Sequence, residues 1–452
     1  FITALTDLPI ATFARNFATG EGYGRAAGGT ISRVIKNFAP GESTARAAIR
    51  LGLTANGHGN RVADMNRMAI DEMPVSSKAT RLADKVNNAV MRLSLLERWN
   101  STNLWAFQLE MLGNITSNSN RPFDQLPQNL RTTMEKQGID EGDWDAIRGQ
   151  DIAGTGTSPD TVRFKDPESG ETFIHPMRVS RIAPGAGEKL GRMLVNEARF
   201  AIPVPGVKER AGLTFGTQAG TFAGEVARTG TMLKSFPVTI MGLQSARVME
   251  DGVRKGRVTR GNSRRKQFLK SAFTTPYLAS LTAATTAMGA LVSQISAVTD
   301  GKEPREMNNV KFWADAAARA GTLGLVSDVA FGSVSRYGLG SFLLGPAFDT
   351  LQKGVRFGDS LARTPIEAIR QGEISEDVFE ETDVGRDGLK FLNAMNPAGS
   401  LWWTQLALQR TVGDHLQLAL DPEAEDSFDR QHDFVEEEQQ SEFFFGPGAL
   451  AR

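Results

Sequence analysis

SAFTTPYLASLTAATTAMGALVSQISAVT, residues 271–299, contains no charged side chain. At about 1.5 Å per residue, a helix of this length crosses the hydrocarbon core of a bilayer. Its composition pulls the other way. Ala, Thr and Ser outnumber Leu and Ile, and Pro276 interrupts the first turn. Such a stretch makes a poor obligate anchor. It suits a helix that is buried in protein in one state and in lipid in another. Leu281, Ala284, Ala287, Met288 and Leu291 are its membrane-insertion candidates. A basic run stands in front: Arg254, Lys255, Arg257, Arg260, Arg264, Arg265, Lys266 and Lys270 put eight cations into seventeen residues. Behind comes a polar stop, DGKEPRE (300–306). Positive flank, apolar span and polar stop fit an inserting segment. A core helix preceded by a solvated basic loop fits the same residues. The cations have three readings as well: contacts to DNA, contacts to anionic lipid, or a plain solvated loop.

The rest of the composition narrows the classes. The 452 residues carry a net charge of -1, so bulk charge marks neither a nucleic-acid nor a membrane binder. The charge is nevertheless uneven, basic over 247–270 and acidic over the last eighty residues, which points to different local partners. No cysteine is present, which excludes disulfides, thiolate catalysis and Cys-ligated metal. FITALTDLPIATFARNF lacks a basic n-region and carries Asp7, so no signal peptide is expected. Phe1 in place of Met leads us to expect an internal piece of a longer polypeptide. Gly is abundant, at 46, and many glycines sit inside apolar segments, which predicts kinks or close helix packing.

Five regions are expected: a helical domain over 1–150, a hairpin-containing insertion over 151–180, a helical region ending in the basic run over 181–270, apolar helices over 271–350, and a C-terminal helix with an acidic and aromatic tail over 351–452. Near the start, TGEGYGRAAGG (19–29) reads as a loop between two helices, and Ser43 as the cap of a short third one. A helix beginning near Ser76 carries apolar residues at spacings of three and four as far as Leu112. It is either continuous or a pair interrupted over Asn100–Asn103. Two short helices should follow, over Gln128–Lys136 and Glu141–Arg148. VRF and TFI flank KDPESGE, whose Pro and Gly occupy turn positions, so a small hairpin is expected over 161–174. Helices should break at Pro203 and Pro205, and Pro237 should kink a helix or occupy its first turn. Residues 320–347 form a second weakly polar region that could pair with the first span. A helix capped near Ser400 precedes the acidic tail. The fold class is therefore mainly α: an elongated multi-helix assembly with glycine-rich kinked helices and one small β-hairpin.

Catalytic signatures are missing. There is no GxSxG, HExxH, Walker A or CxxC pattern. The GxG of GLTANGHGN (52–60) lacks the flanking strand and helix of a nucleotide fingerprint. His175 has no second ligand at metal spacing, and Glu380, Glu381 and Glu436–Glu438 lie in polar runs that read as solvated faces. We therefore expect no enzyme in this segment, with no catalytic, cofactor-binding or metal site and no cofactor.

Nine pieces of the second half occur in a telling order: LKSFPVTIM (233–241), LTAATTAMGAL (281–291), DGKEPREM (300–307), KFWADAAARAGTLGLVSDVAFG (311–332), RYGLG (336–340), LGPAF (344–348), NPAGSLWWTQLALQR (396–410), DPEAEDSF (421–428) and FFFGPG (443–448). This order resembles the C-terminal region of the large internal virion, or ejection, proteins of short-tailed phages and related prophages. RLSLLERWN (92–100) fits the same pattern. Departures are LWWT for LWYT, FFF where the tail usually has Trp, and GTLG for GGLG. The resemblance implies a protein packed inside the capsid as a core on the portal axis. It would leave ahead of the genome and build a DNA-translocation conduit across the host envelope. The implied partners are further copies of itself, the other internal core proteins and the portal, phage DNA and the host inner membrane. A lytic transglycosylase often sits in the front of the parent and is not seen in this segment. Rival readings are a tape-measure-like scaffold, a pore-forming membrane protein and, third, a hydrolase.

Overall fold

A computed structural model describes residues 2–38, 43–53, 96–150, 158–203, 235–259, 264–320, 405–420 and 424–450, with isolated positions at 356 and 359. Among these residues the chain is mostly helical and carries a single two-stranded antiparallel hairpin. The helix expected from Ser76 is described only from Leu96. The partner region 320–347, apart from Ala320, lies outside the described residues, as do GLTANGHGN beyond Leu53, Pro205, Arg260, Ser400 and the acids at 380–381.

The first part packs around one helix. After a 3-10 turn, Ile2–Thr6, come α1 (Asp7–Thr19), α2 (Tyr23–Phe38) and α3 (Ser43–Arg50), then α4 (Leu96–Ser117). α4 runs without a break through Asn100–Asn103. Two of its polar side chains there are hydrogen-bonded: Asn103 donates to the Trp99 carbonyl at 3.0 Å, and Thr102 accepts from buried Asn37 of α2. Phe107, Leu109, Met111, Leu112 and Ile115 are fully buried and face several sides of α4, so other elements must surround it. α5 (Gln128–Lys136) and α6 (Glu141–Arg148) do so at the expected bounds. Asp140 caps α6 in a reciprocal box with Asp143, and Gly149 ends it in the left-handed region at φ 75°.

The hairpin pairs β1 (Arg163–Lys165) with β2 (Thr172–Ile174), Phe164 opposite Phe173. Its expected first residue, Thr161, belongs instead to a helical turn, Pro159–Val162. Pro176 opens α7 (Pro176–Ile182), and α8 (Pro184–Ala201) follows. Phe173, Ile174, Leu190 and Met193 join the cluster that contains α1, α3 and α4. One core therefore runs across positions 150 and 180.

Two sequence expectations are corrected here. Thr19–Gly29 is a loop only at its start, because α2 begins at Tyr23. Gly29 is a contact position inside that helix: a Cβ there would run into the ion-paired ends of Glu110 and Arg15. The acidic stretch after Asp421 is not a plain tail. It forms α15 (Ala424–Gln439), with Ala424, Phe428 and Val435 buried at helical spacing beneath the carboxylates.

Candidate functional site

The apolar stretch folds as two helices. α9 (Ser235–Arg254) holds Pro237 in its first turn, where the missing amide costs nothing. α10 (Arg264–Thr274) ends before Pro276, and α11 (Tyr277–Thr299) starts directly after it. At 23 residues, α11 is about 34 Å long against a hydrocarbon core of about 30 Å. Only 39 % of its most apolar part is buried. Three of its hydroxyls are closed on its own backbone, whereas the buried Ser293 hydroxyl has no partner among the described residues. Thr285 donates to the Leu281 carbonyl at 2.9 Å, Ser280 to that of Pro276 at 2.6 Å, and Thr299 to that of Ser296 at 3.0 Å. A Thr that satisfies itself in this way carries little polarity outward.

The inward face of α11 is aromatic at one end. Tyr277 and Leu281 are buried with Phe13 and Phe17 of α1 and Val248 of α9. The Tyr277 ring meets those of Phe13 and Phe17 edge-on, with centroids 5.9 and 5.7 Å away, and its hydroxyl donates to Gln244 at 2.9 Å. At the other end the contacts are small. Ala290 packs against Phe312 and Ala316 of α12 (Val310–Arg319). A Cβ on Gly289 would collide with the Ala316 carbonyl, so the two helices approach to backbone distance.

The outward face is a run of Ala279, Ala283, Ala287, Leu291 and Val298, all exposed. The five candidates from sequence are therefore not one surface. Leu281 points inward, Ala284 and Met288 are half-buried, and Ala287 and Leu291 face out. Sequence reading missed other exposed apolar residues near the two ends of α11. Phe273, before its start, is 87 % exposed, and Val310, after its end, is 84 % exposed, with Met307 and Trp313 exposed as well. Periodicity within α11 carries no trace of them, because they lie on three different segments.

The polar stop after α11 is paired in part. α13 (Gln405–Leu408), a π-helical turn (Gln409–Gly413), α14 (Asp414–Leu420) and α15 lead to residues 441–448, which lie along Gly301–Glu303. Gly301 is buried and Lys302 half-buried, while Asp300, Glu303, Pro304 and Glu306 are exposed. Desolvation pushes the Lys302 ammonium below its ordinary range. Gln294 ties α11 to the same loop twice: it donates to the Arg305 carbonyl and accepts from the Arg305 amide, both at 2.7 Å.

The basic run is divided. Arg254 is spent on the fold. Its guanidinium lies 4.1 Å over the Phe17 ring, donates to the Phe17 carbonyl at 2.7 Å and pairs with Glu250. Lys255 pairs with Asp251 at 2.8 Å, while Arg257 and Lys270 are exposed. Arg264, Arg265 and Lys266 form the first turn of α10. Deeper in, Arg247 pairs with Glu197, both fully buried, and lies between the rings of Phe17 and Phe200.

His175 sits half-buried at the end of the hairpin, and burial lowers its pKa. Among the described residues no group of three or more His, Asp or Glu is placed to hold a metal ion. Comparison with protein-family models, with curated proteins and with solved structures returned no match.

Proposed function

We propose that this chain is a phage internal core, or ejection, protein segment whose α11 enters the host inner membrane as the conduit for DNA forms. The observation that carries this is α11 itself: long enough to span, free of charge, and clad on its outward face in Ala, Leu and Val. Exposed Phe273, Val310 and Trp313 give copies of the chain apolar surface to share in a ring around the DNA path. Arg257, Lys270 and the α10 start supply the cations for DNA or anionic lipid. In the virion the protein lies inside the capsid with the other core proteins, on the portal axis.

Ala287→Arg tests the reading cleanly, because Ala287 is exposed and the fold has room for the longer side chain. A cation at the bilayer centre costs about 2.5–3.5 kcal/mol. Permeabilisation of anionic vesicles should therefore fall by about two orders of magnitude at unchanged thermal stability. Ala284→Asp should impair it too, but Ala284 packs against the Phe13–Tyr277 cluster, so that variant also perturbs the fold. Full vesicle activity in Ala287→Arg contradicts the proposal.

A further inference from the structure

Residues 441–448 are bound to the end of α11 mainly through backbone. The amides of Phe444 and Phe445 both donate to the Gly301 carbonyl at 3.0 Å, and the Glu303 amide donates to the Glu442 carbonyl at 2.8 Å. The Ser441 hydroxyl adds a bond to the Glu303 carbonyl at 2.7 Å. Gly301 is in the left-handed region, at φ 78°, and a Cβ there would strike the Phe445 carbonyl, so this approach requires glycine. From the other side the segment is held by an ion pair. Arg410 donates to the Phe445 carbonyl at 3.2 Å, Asp414 accepts from the Gly448 amide at 2.8 Å, and the two side chains, 5 % and 3 % exposed, pair with each other. The bonds to Gly301 and Glu303 join residues about 140 positions apart in the chain, yet none of Phe443, Phe444 and Phe445 is fully buried. Elements held in this way open at low free energy relative to a packed core.

We propose that residues 441–448 are a strap that locks α11 in its packed form against α12, and that strap release frees α11 to enter lipid. This rests on the membrane reading above and names its regulation. The physical reason is positional. When α11 inserts, Asp300–Glu306 must sit at or beyond the interface, and a segment paired to that loop must separate from it or move with it. Separation also returns the half-buried Lys302 to water.

The strap can be locked covalently. Lys302 faces Phe443 in an antiparallel bridge. The neighbouring amides of Glu303 and Phe444 make the flanking bonds, so this is the non-hydrogen-bonded kind of pair, with Cα atoms about 4.5 Å apart. That lies within the range a disulfide spans, about 4.4–6.8 Å, and the chain has no other cysteine to compete. We would make Lys302→Cys/Phe443→Cys in the full chain and compare its oxidised and reduced forms. The probes are leakage of phosphatidylglycerol-containing vesicles and amide exchange over 293–299. Oxidation should slow leakage at least about tenfold by lowering the competent fraction, and reduction should restore it. Exchange over 293–299 should rise on reduction. Gly301→Ala, which pushes the strap off without a crosslink, should leak and exchange faster than wild type. Equal exchange in all forms overturns the strap whatever the vesicles do. Faster exchange after release, with leakage equal in every form, overturns strap control of insertion but leaves α11 insertion standing. Faster exchange with no vesicle activity in any form, wild type included, defeats the membrane reading and leaves the strap as a structural lock only.

Discussion

The body around α4 and the α11–α12 pair are both helical, yet they are held by different physics. Around α4, large side chains fill the interior: Phe107, Met111, Leu112 and Trp144 are fully buried. Leaving that packing would forfeit roughly 1.5–3 kcal/mol for each such side chain. In α11, by contrast, only the Tyr277–Leu281 end packs on large side chains; the outward face is Ala, Leu and Val, the contact to α12 is glycine on backbone, and the far end is fastened by hydrogen bonds. A large-residue core commits a helix to one place. On the proposed function, the small-residue and polar contacts of the rest of α11 are what lets it exchange one apolar environment for another.

The contrast can be broken by truncation. Trp144→Ala removes a fully buried indole and its 2.9 Å bond to the Arg121 carbonyl. The expected loss is about 3–5 kcal/mol in urea unfolding. Glu197→Gln comes next. Among the described residues it leaves buried Arg247 with Glu250, 3.7 Å away, as counter-charge, and a loss of about 3 kcal/mol is expected, read from the same curves.

A titration sharpens the boundary between the two regions. Asp7 opens α1, close to the 3-10 turn that packs on α11. Burial pushes its carboxyl from 3.8 up to about 7, against the lowering effect of a bond from the Trp99 indole. The folded chain then keeps a proton that the unfolded chain has released. Asp7 therefore costs stability progressively as pH rises from about 4 to about 7, and the cost is constant above that. Asp7→Asn should gain on wild type across this window, by on the order of 1 kcal/mol because Asp7 is only half-buried. A flat difference between the two chains from pH 4 to 8 would count against it. The smallest effect belongs to Leu291→Ala on the outward face of α11, which should change stability by less than about 0.5 kcal/mol.

Much of this contrast was legible in sequence, and for identifiable reasons. α5 and α6 have local punctuation: Pro127 before one, Asp140 and Gly149 around the other. The hairpin has its turn residues, and α11 has Pro276 in front and DGK behind. What stayed hidden was tertiary. Gly29 looks like a helix breaker until Glu110 and Arg15 are seen across from it. The acidic stretch at 424–439 hides three buried apolar positions among its charges. Arg254 was read with the other cations because nothing local places Phe17 beneath it. The pairing of Gly301–Glu303 with 441–448 has no local signal at either end. Of the candidate site, the helix was therefore readable, while its facing, its neighbours Phe273 and Val310, and its fastening were not.

Because the chain has no cysteine, a single probe reports where α11 goes. Ala287→Cys carries an environment-sensitive fluorophore on the outward face of the helix. Upon addition of anionic vesicles, insertion predicts a blue-shifted emission, loss of quenching by aqueous iodide and gain of quenching by lipids labelled near the bilayer centre. Emission that stays red-shifted and open to iodide, at vesicle concentrations that bind the chain, would contradict the account.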